Sequence, residues 1–312
     1  MYDVIIIGGG PAGLTATIYA LRKRLNALLI TKDLGGKTNF RLELPHIEHH
    51  LVINGEETVS RFAHEIEYLD FARVMESVTR VEAIRGGYAA HTGAGKEYQA
   101  RALIIASGAS AKRLGVPGEK EFLMRGLCYS AVSYASLFVE RDTVVVGDSG
   151  LALRAAAELS RVASHVTLIA PTHGQLDSPL GQRLSTLPNV LILEGQQVES
   201  VKGDKYARSL IVKHDDVTRE IRADAFFVEL GLLPDSNVVA GLVKRDAEGR
   251  IQVDARNRTS APGIFAAGDV TNVYAEQVLI AIGEGTKAAL SAYEYLLEQP
   301  TLEKEMVVEE WR

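Results

Sequence analysis

Three short stretches of this chain hold residues whose types and spacing suit ligand chemistry. The first is Gly8-x-Gly10-x-x-Gly13, with Pro11 and Ala12 between the last two glycines. An apolar run over residues 3 to 7 leads into it, and a run of helix formers, Leu14 to Arg24, leads out. Strand, glycine turn and helix in that order are what a dinucleotide site requires. The first glycine permits the tight turn, the second lets a diphosphate approach the backbone, and the third lets helix pack on strand. Backbone N–H groups and the positive end of the helix then face the phosphates. An acid that clamps the ribose belongs near the end of the next apolar run, Ala27 to Ile30. Thr31 stands there, with Asp33 two residues on, so Thr31 is expected to donate the one hydrogen bond available. The second stretch, Gly147-Asp148-Ser149-Gly150 with Ala152, repeats the arrangement after the strand Thr143 to Val146. The third is Gly268-Asp269, at the end of an apolar strand and ahead of Gln277, Val278 and a helical run from Ala281 to Leu297.

The elements that must position these residues follow from the same patterns. Each of the first two stretches is the middle of a βαβ unit, the second completed by an alanine-rich helix to Val162 and the strand Val166 to Ile169. Leu103 to Ala106 reads as a buried strand, Gly115-Val116-Pro117-Gly118 as a connector, and Lys202 to His214 as a β-hairpin. The predicted fold is α/β, with two Rossmann-like nucleotide-binding domains. Residues 1–113 and 244–312 form one, and 114–243 form a second inserted in it.

The 312 residues suit two domains, and 24% charged with 46% hydrophobic residues is the balance of a globular protein. A net charge of −6 gives no electrostatic reason to expect nucleic acid. No apolar run approaches the roughly 18 residues of a membrane span. The first strand begins almost at Met1, leaving no room for a signal peptide, and Cys128 is the only cysteine. A cytoplasmic protein without a membrane partner is expected. His46, His49 and His50 have a spacing a metal could use on a helix, but the stretch reads as a loop without a thiolate or carboxylate cage, so no metal is assigned.

Several segments together resemble low-molecular-weight thioredoxin reductases. They are the first glycine motif, Gly35-Gly36-Lys37, the run from Ala106-Ser107-Gly108 through Lys112-Arg113 to Gly118-Glu119, and Gly268-Asp269 with Gln277-Val278. The resemblance covers nearly the whole chain and implies that these segments surround FAD. It assigns the diphosphate to Gly8–Gly13, the adenine edge to Val78, the ribityl chain to Asp269, and the isoalloxazine end to Gln277 and Val278. A carboxylate can accept from sugar hydroxyls, and an amide can reach a flavin carbonyl. Lys37 stands where the family carries Gln. Pointing at the flavin, it would favour negative charge on the reduced ring; a surface lysine is the simpler alternative.

Two departures bear on function. The family's Cys-x-x-Cys, counted back from Gly147, falls on Ser130-Ala131-Val132-Ser133, and serine cannot perform disulfide exchange. Cys128, two residues upstream, is expected to be a small buried hydrophobe, and Tyr129 and Tyr134 to serve core packing rather than a planar ligand. The family's nucleotide motif for NADPH has Ser149 in place of its middle glycine, and the arginines that grip the 2′-phosphate are replaced by Ala170-Pro171-Thr172-His173-Gly174-Gln175.

The resemblance is therefore to the pyridine-nucleotide-independent, ferredoxin-linked branch, which nevertheless keeps a cysteine pair. The expected function is electron transfer through FAD in a homodimer, with a protein donor such as ferredoxin. An NAD(P)H-dependent flavin or ferredoxin reductase and a non-catalytic FAD-binding sensor are the alternatives. Trp311, the only tryptophan, lies in the tail Met306–Arg312; it either stacks near the isoalloxazine or docks on a dimer surface.

Overall fold

A computed structural model describes residues 1–39, 42–43, 55–67, 70–131 and 134–299. Expectations for His46, His49, His50, Ser133 and Trp311 lie outside the described residues. The chain divides into two compact units, one of residues 1–39, 54–109 and 234–312, the other of 40–53 and 110–233.

The first unit opens with β1 (Tyr2–Ile7), α1 (Pro11–Arg22), β2 (Ala27–Ile30), α2 (Gly55–Glu67) and β3 (Arg73–Val74), followed by β4 (Val78–Ile84), β5 (Gly87–Thr92) and β6 (Glu97–Ile105). In the second unit are β7 (Ala109–Ala111), α3 (Glu119–Phe122), β8 (Leu127–Cys128), β9 (Asp142–Val146), α4 (Gly150–Leu159), β10 (His165–Ala170), α5 (Pro179–Ser185) and β11 (Val190–Glu194). A meander of β12 (Gln197–Gly203), β13 (Ala207–His214) and β14 (Val217–Arg222) follows, then β15 (Ala225–Val228) and β16 (Leu232–Pro234). The chain returns to the first unit with β17 (Ile264–Ala266) and α6 (Val278–Glu298).

In the first unit the parallel ladder runs β3-β2-β1-β6-β17, and the first half of β6 also carries the antiparallel pair β5-β4. Alternation along the strands makes three layers, because successive side chains point to opposite faces. Val4 and Ile6 of β1 and Ala102 and Ile104 of β6 pack with α1 and α6, whereas Ile5, Ile7, Leu103 and Ile105 pack against the side that holds Val81 and Ala90. Burial on both faces explains why these strands read as unbroken apolar runs.

The second unit repeats the plan with an all-parallel sheet of order β11-β10-β9-β15-β8. Val145 and Phe227 face α4, while Val144, Val146, Phe226 and Val228 face the β12–β14 meander. The strand order reverses between β9 and β15, and in such sheets ligands bind at the carboxyl ends beside that switch. The fold class is α/β with two Rossmann-like sheets.

Two details differ from the sequence reading. Besides the stretch 40–53, the crossings between units fall at 109/110 and 233/234, whereas the sequence reading placed them at 113/114 and 243/244. The reason is local: β7 and β16 pair with each other, and Val239 and Val243 belong to the buried core of the first unit. The hairpin expected at Lys202–His214 is part of a three-stranded meander, whose third strand is mostly exposed and so carries no clear apolar alternation. No helix among the described residues is long and apolar enough to cross a membrane.

Small residues let α6 lie against the first glycine turn. A methyl at Gly285 would stand 2.1 Å from the Ala12 carbonyl oxygen, whereas one at Gly283 would meet nothing within 4 Å. Gly285→Ala is expected to lower stability by about 1–3 kcal/mol, the cost of overpacking, while Gly283→Ala raises it by about 0.5–1 kcal/mol. Denaturant midpoints of the two variants check this pair.

Candidate functional site

The turn between β1 and α1 shows three glycines used for three different reasons. Gly8 has φ +109°, and a Cβ there would stand 2.3 Å from the Ala106 carbonyl oxygen. At Gly13 a Cβ would stand 1.8 Å from the Gly8 carbonyl oxygen, so helix and strand touch there. Gly10 has ordinary backbone angles and open space: a Cβ would meet nothing within 4 Å. Nothing among the described residues therefore requires glycine at position 10, whereas a ligand lying against that backbone would. Pro11 occupies the first helical position, where a missing N–H costs nothing, and no acidic side chain occupies the first turn of α1. That leaves the positive end of a twelve-residue helix facing open space, a fit for a diphosphate.

The neighbouring segments build the rest of the pocket wall. Gly35 N–H donates to the Gly9 carbonyl at 2.8 Å, which sets the tight turn at 36–39 beside the glycine loop. Thr31, 6% exposed, donates its hydroxyl proton to the Asp33 carbonyl at 2.7 Å, so what it offers a ribose is an acceptor rather than the donor expected from sequence. The Asp33 carboxylate is engaged by the Gly36 N–H at 2.9 Å. Ala106 ends β6 with its N–H on the Ile7 carbonyl; Ser107 Oγ donates to the Asp235 carbonyl at 2.6 Å, and the Gly108 carbonyl accepts the Asp235 N–H at 2.9 Å. Val78 opens β4, half-buried, four residues beyond Val74, whose carbonyl accepts the Thr31 N–H.

Lys37 is exposed, as the simpler of the two alternatives posed by sequence has it. Its Nζ lies 2.5 Å from Asp269 Oδ2, so its charge is committed to the carboxylate assigned to the ribityl chain. Gly268, φ +76°, supports the turn that presents Asp269, with its carbonyl accepting both the N–H and the hydroxyl of Thr271. Gln277 is the exposed N-cap residue of α6, and Val278 begins the helix packed against the core. The structure thus brings the Gly8–Gly13 turn, Thr31, Gly36, Lys37, Ala106 and Gly268-Asp269 around one end of one sheet.

In the second unit the surroundings of Cys128 are closely packed. Cys128 is 1% exposed; burial pushes its thiol up to about 12, and the charge of Glu229 adds to the effect. Its Sγ lies 4.0 Å from the Ser130 carbonyl, and Ser130 itself is half-buried. Tyr134 packs on the core, and Tyr129 donates its hydroxyl to Glu119 Oε1 at 2.6 Å, so both tyrosines serve packing. Glu229, 2% exposed at the end of β15, accepts the Ala131 N–H at 2.7 Å. Sequence reasoning passed over Glu229; a single acid among the apolar residues Phe226 to Leu230 was the available sign. Gly147 keeps φ +150°, where a Cβ would stand 2.4 Å from the Glu229 carbonyl oxygen, while Ser149 caps α4 with its Oγ buried and without a hydrogen-bond partner among the described residues. The described residues contain no group of three His, Cys, Asp or Glu side chains able to hold a metal ion.

Two Rossmann-like sheets, each with a glycine turn at its carboxyl edge, define a nucleotide-binding α/β oxidoreductase architecture. Residues 2–285 match the Pyridine nucleotide-disulphide oxidoreductase family, and the chain belongs to it. The F subunit of alkyl hydroperoxide reductase from Pseudomonas aeruginosa is 34% identical over 307 residues, 95% of this chain and 58% of that protein. A protein of Ferdinandcohnia aciditolerans named NADH dehydrogenase is 30% identical over 96% of this chain and 58% of its own length. The chain thus spans a little under three fifths of these relatives. Thioredoxin reductase from Streptococcus pyogenes superposes with a TM-score of 0.85 at 30% identity, covering 96% of this chain and 99% of that one.

Two outcomes follow from the geometry. Gly10→Ala is expected to lower the stability of the flavin-free protein by no more than about 1 kcal/mol, the cost of a poorer N-cap, since its Cβ meets no described atom within 4 Å, while flavin retained on gel filtration falls at least tenfold. Cys128, raised above its usual range, stays protonated until pH approaches about 12. Labelling by a disulfide reagent at pH 8 is therefore expected only after unfolding; rapid labelling of the native protein would contradict the packing.

Proposed function

We propose that this chain moves electrons through FAD without drawing them from NADPH and without passing them to a dithiol of its own, as a homodimer served by a protein donor such as ferredoxin. The observation that carries the reading is the contrast between positions 10 and 149. The first turn leaves bare backbone open to a diphosphate; the second has a side chain there. Cys128, buried and protonated, offers no substitute for the missing cysteine pair.

Bound FAD supplies the chemistry, taking up and releasing electrons one or two at a time. The protein's part is placement. Gly10, Ala12 and Gly13 offer N–H groups to the diphosphate, Gly8 and Pro11 shape the turn and start the helix, Thr31 and the Ala106–Gly108 segment line the sugar side, and Val78 lies along the adenine. Asp269 accepts from ribityl hydroxyls while Lys37 neutralises its charge, and Gln277 and Val278 meet the ring end. Trp311 is proposed to cover the ring of its own or a partner subunit.

A nicotinamide-dependent reading has one specific support, the relative named NADH dehydrogenase. Anaerobic mixing separates the two. Under the leading reading, reduced ferredoxin bleaches the flavin absorbance within seconds, and NADPH or NADH at 1 mM (about a typical upper Michaelis constant) leaves it unchanged over the same time. Rapid bleaching by either nicotinamide overturns it.

A further inference from the structure

The second glycine turn is covered by the chain's own loop. Residues 171–177 follow β10, the strand whose end carries the adenosine side of a dinucleotide site. Asp148, inside the turn, accepts both the N–H of Thr172 at 3.0 Å and its hydroxyl at 2.7 Å on the same oxygen, Oδ2. The Asp148 carbonyl accepts the Gln175 N–H at 2.8 Å. Gly174, φ +48°, comes so close that a Cβ would stand 2.3 Å from that carbonyl oxygen. Gln175 extends its Oε1 to 2.9 Å from where a Cβ of Gly150, the first residue of α4, would sit. Loop and turn are thus joined by three hydrogen bonds across the mouth of the helix, where a diphosphate would lie.

The charges at this mouth also oppose a dinucleotide. Besides Asp148, His173 lies between Glu194 Oε1 at 2.9 Å and Asp177 Oδ2 at 3.0 Å, so two carboxylates face its imidazole. The hydrogen bond to Glu194, then that to Asp177, raises its pKa. Arg154 Nη1 stands 3.8 Å from the Gly150 Cβ position. Buried Glu229 stands at the other side of the turn, at the end of β15.

We propose that Asp148, clasped to Thr172 and Gln175, is the specificity-determining residue that bars adenine dinucleotides from the inserted unit, beyond the obstruction by the Ser149 side chain. The clasp holds the loop where the diphosphate and the adenosine ribose would need to lie, and puts a carboxylate next to the phosphates. The inference rests on reading the second unit as a nucleotide domain that takes no nicotinamide, and its test separates the two.

ADP-ribose is titrated by calorimetry into the flavin-loaded full chain as wild type, Ser149→Gly, Asp148→Ala/Ser149→Gly and Thr172→Val/Ser149→Gly. Wild type and Ser149→Gly are expected to bind more weakly than about 1 mM, and each double variant at least tenfold more tightly than Ser149→Gly. Thr172 is exposed, so its variant decides the matter if the Asp148 variant fails to fold. Double variants that gain less than tenfold, or a Ser149→Gly protein that binds as well as they do, overturn the clasp alone and leave the functional reading standing. Wild-type protein that binds more tightly than about 0.1 mM and is bleached by a nicotinamide overturns both.

Discussion

A diphosphate can reach backbone N–H groups only where no Cβ stands in the way, and the organisation of this chain depends on that steric constraint. At the first turn, Gly8 and Gly13 are demanded by the fold itself, because carbonyl oxygens of Ala106 and Gly8 fill the space a side chain would need. Gly10 is not demanded by any described residue. Lying at the strand-turn-helix junction, where a diphosphate would approach the backbone, it is a physical argument for a ligand there. Around it, the donors and acceptors that could have collapsed into the gap are engaged elsewhere: Asp33 on Gly36, Ser107 on Asp235, Lys37 on Asp269.

The second turn shows the same constraint resolved in the opposite direction. Gly147 retains the backbone conformation that the strand-to-helix turn needs, and α4 packs through Ala152, so the scaffold of a nucleotide domain persists. What has changed is the surface presented to a ligand, with Ser149 at the point of close approach and Asp148 bonded to the next loop. Folding and binding place separate demands on one short segment. A unit that meets the first demand stays well packed whatever its surface offers a ligand.

Much of this was legible in the sequence because the relevant signals are local. Strand, glycine turn and helix announce themselves within twenty residues, and doubly buried strands such as β1 and β9 appear as unbroken apolar runs. The α/β class and the insertion of one unit in the other follow from those runs. The boundaries were less legible, since Val239 and Val243 join a core most of whose other buried members, from Ile5 to Ile105, lie more than a hundred residues away. The side-chain partnerships were not legible at all: Lys37 with Asp269, Asp148 with Thr172, and Glu229 with Ala131 are contacts between segments whose proximity only the tertiary fold determines. Thr31 illustrates the same limit at short range, because its donor is taken two residues away by a carbonyl that composition does not reveal.

The central claim is that one dinucleotide turn is open and the other barred within a single chain. Its most direct test is flavin stoichiometry: purified protein saturated with FAD, freed of excess, extracted and quantified against chain concentration. The account gives one FAD per chain. None, or two with the second held by residues 110–233, would contradict it.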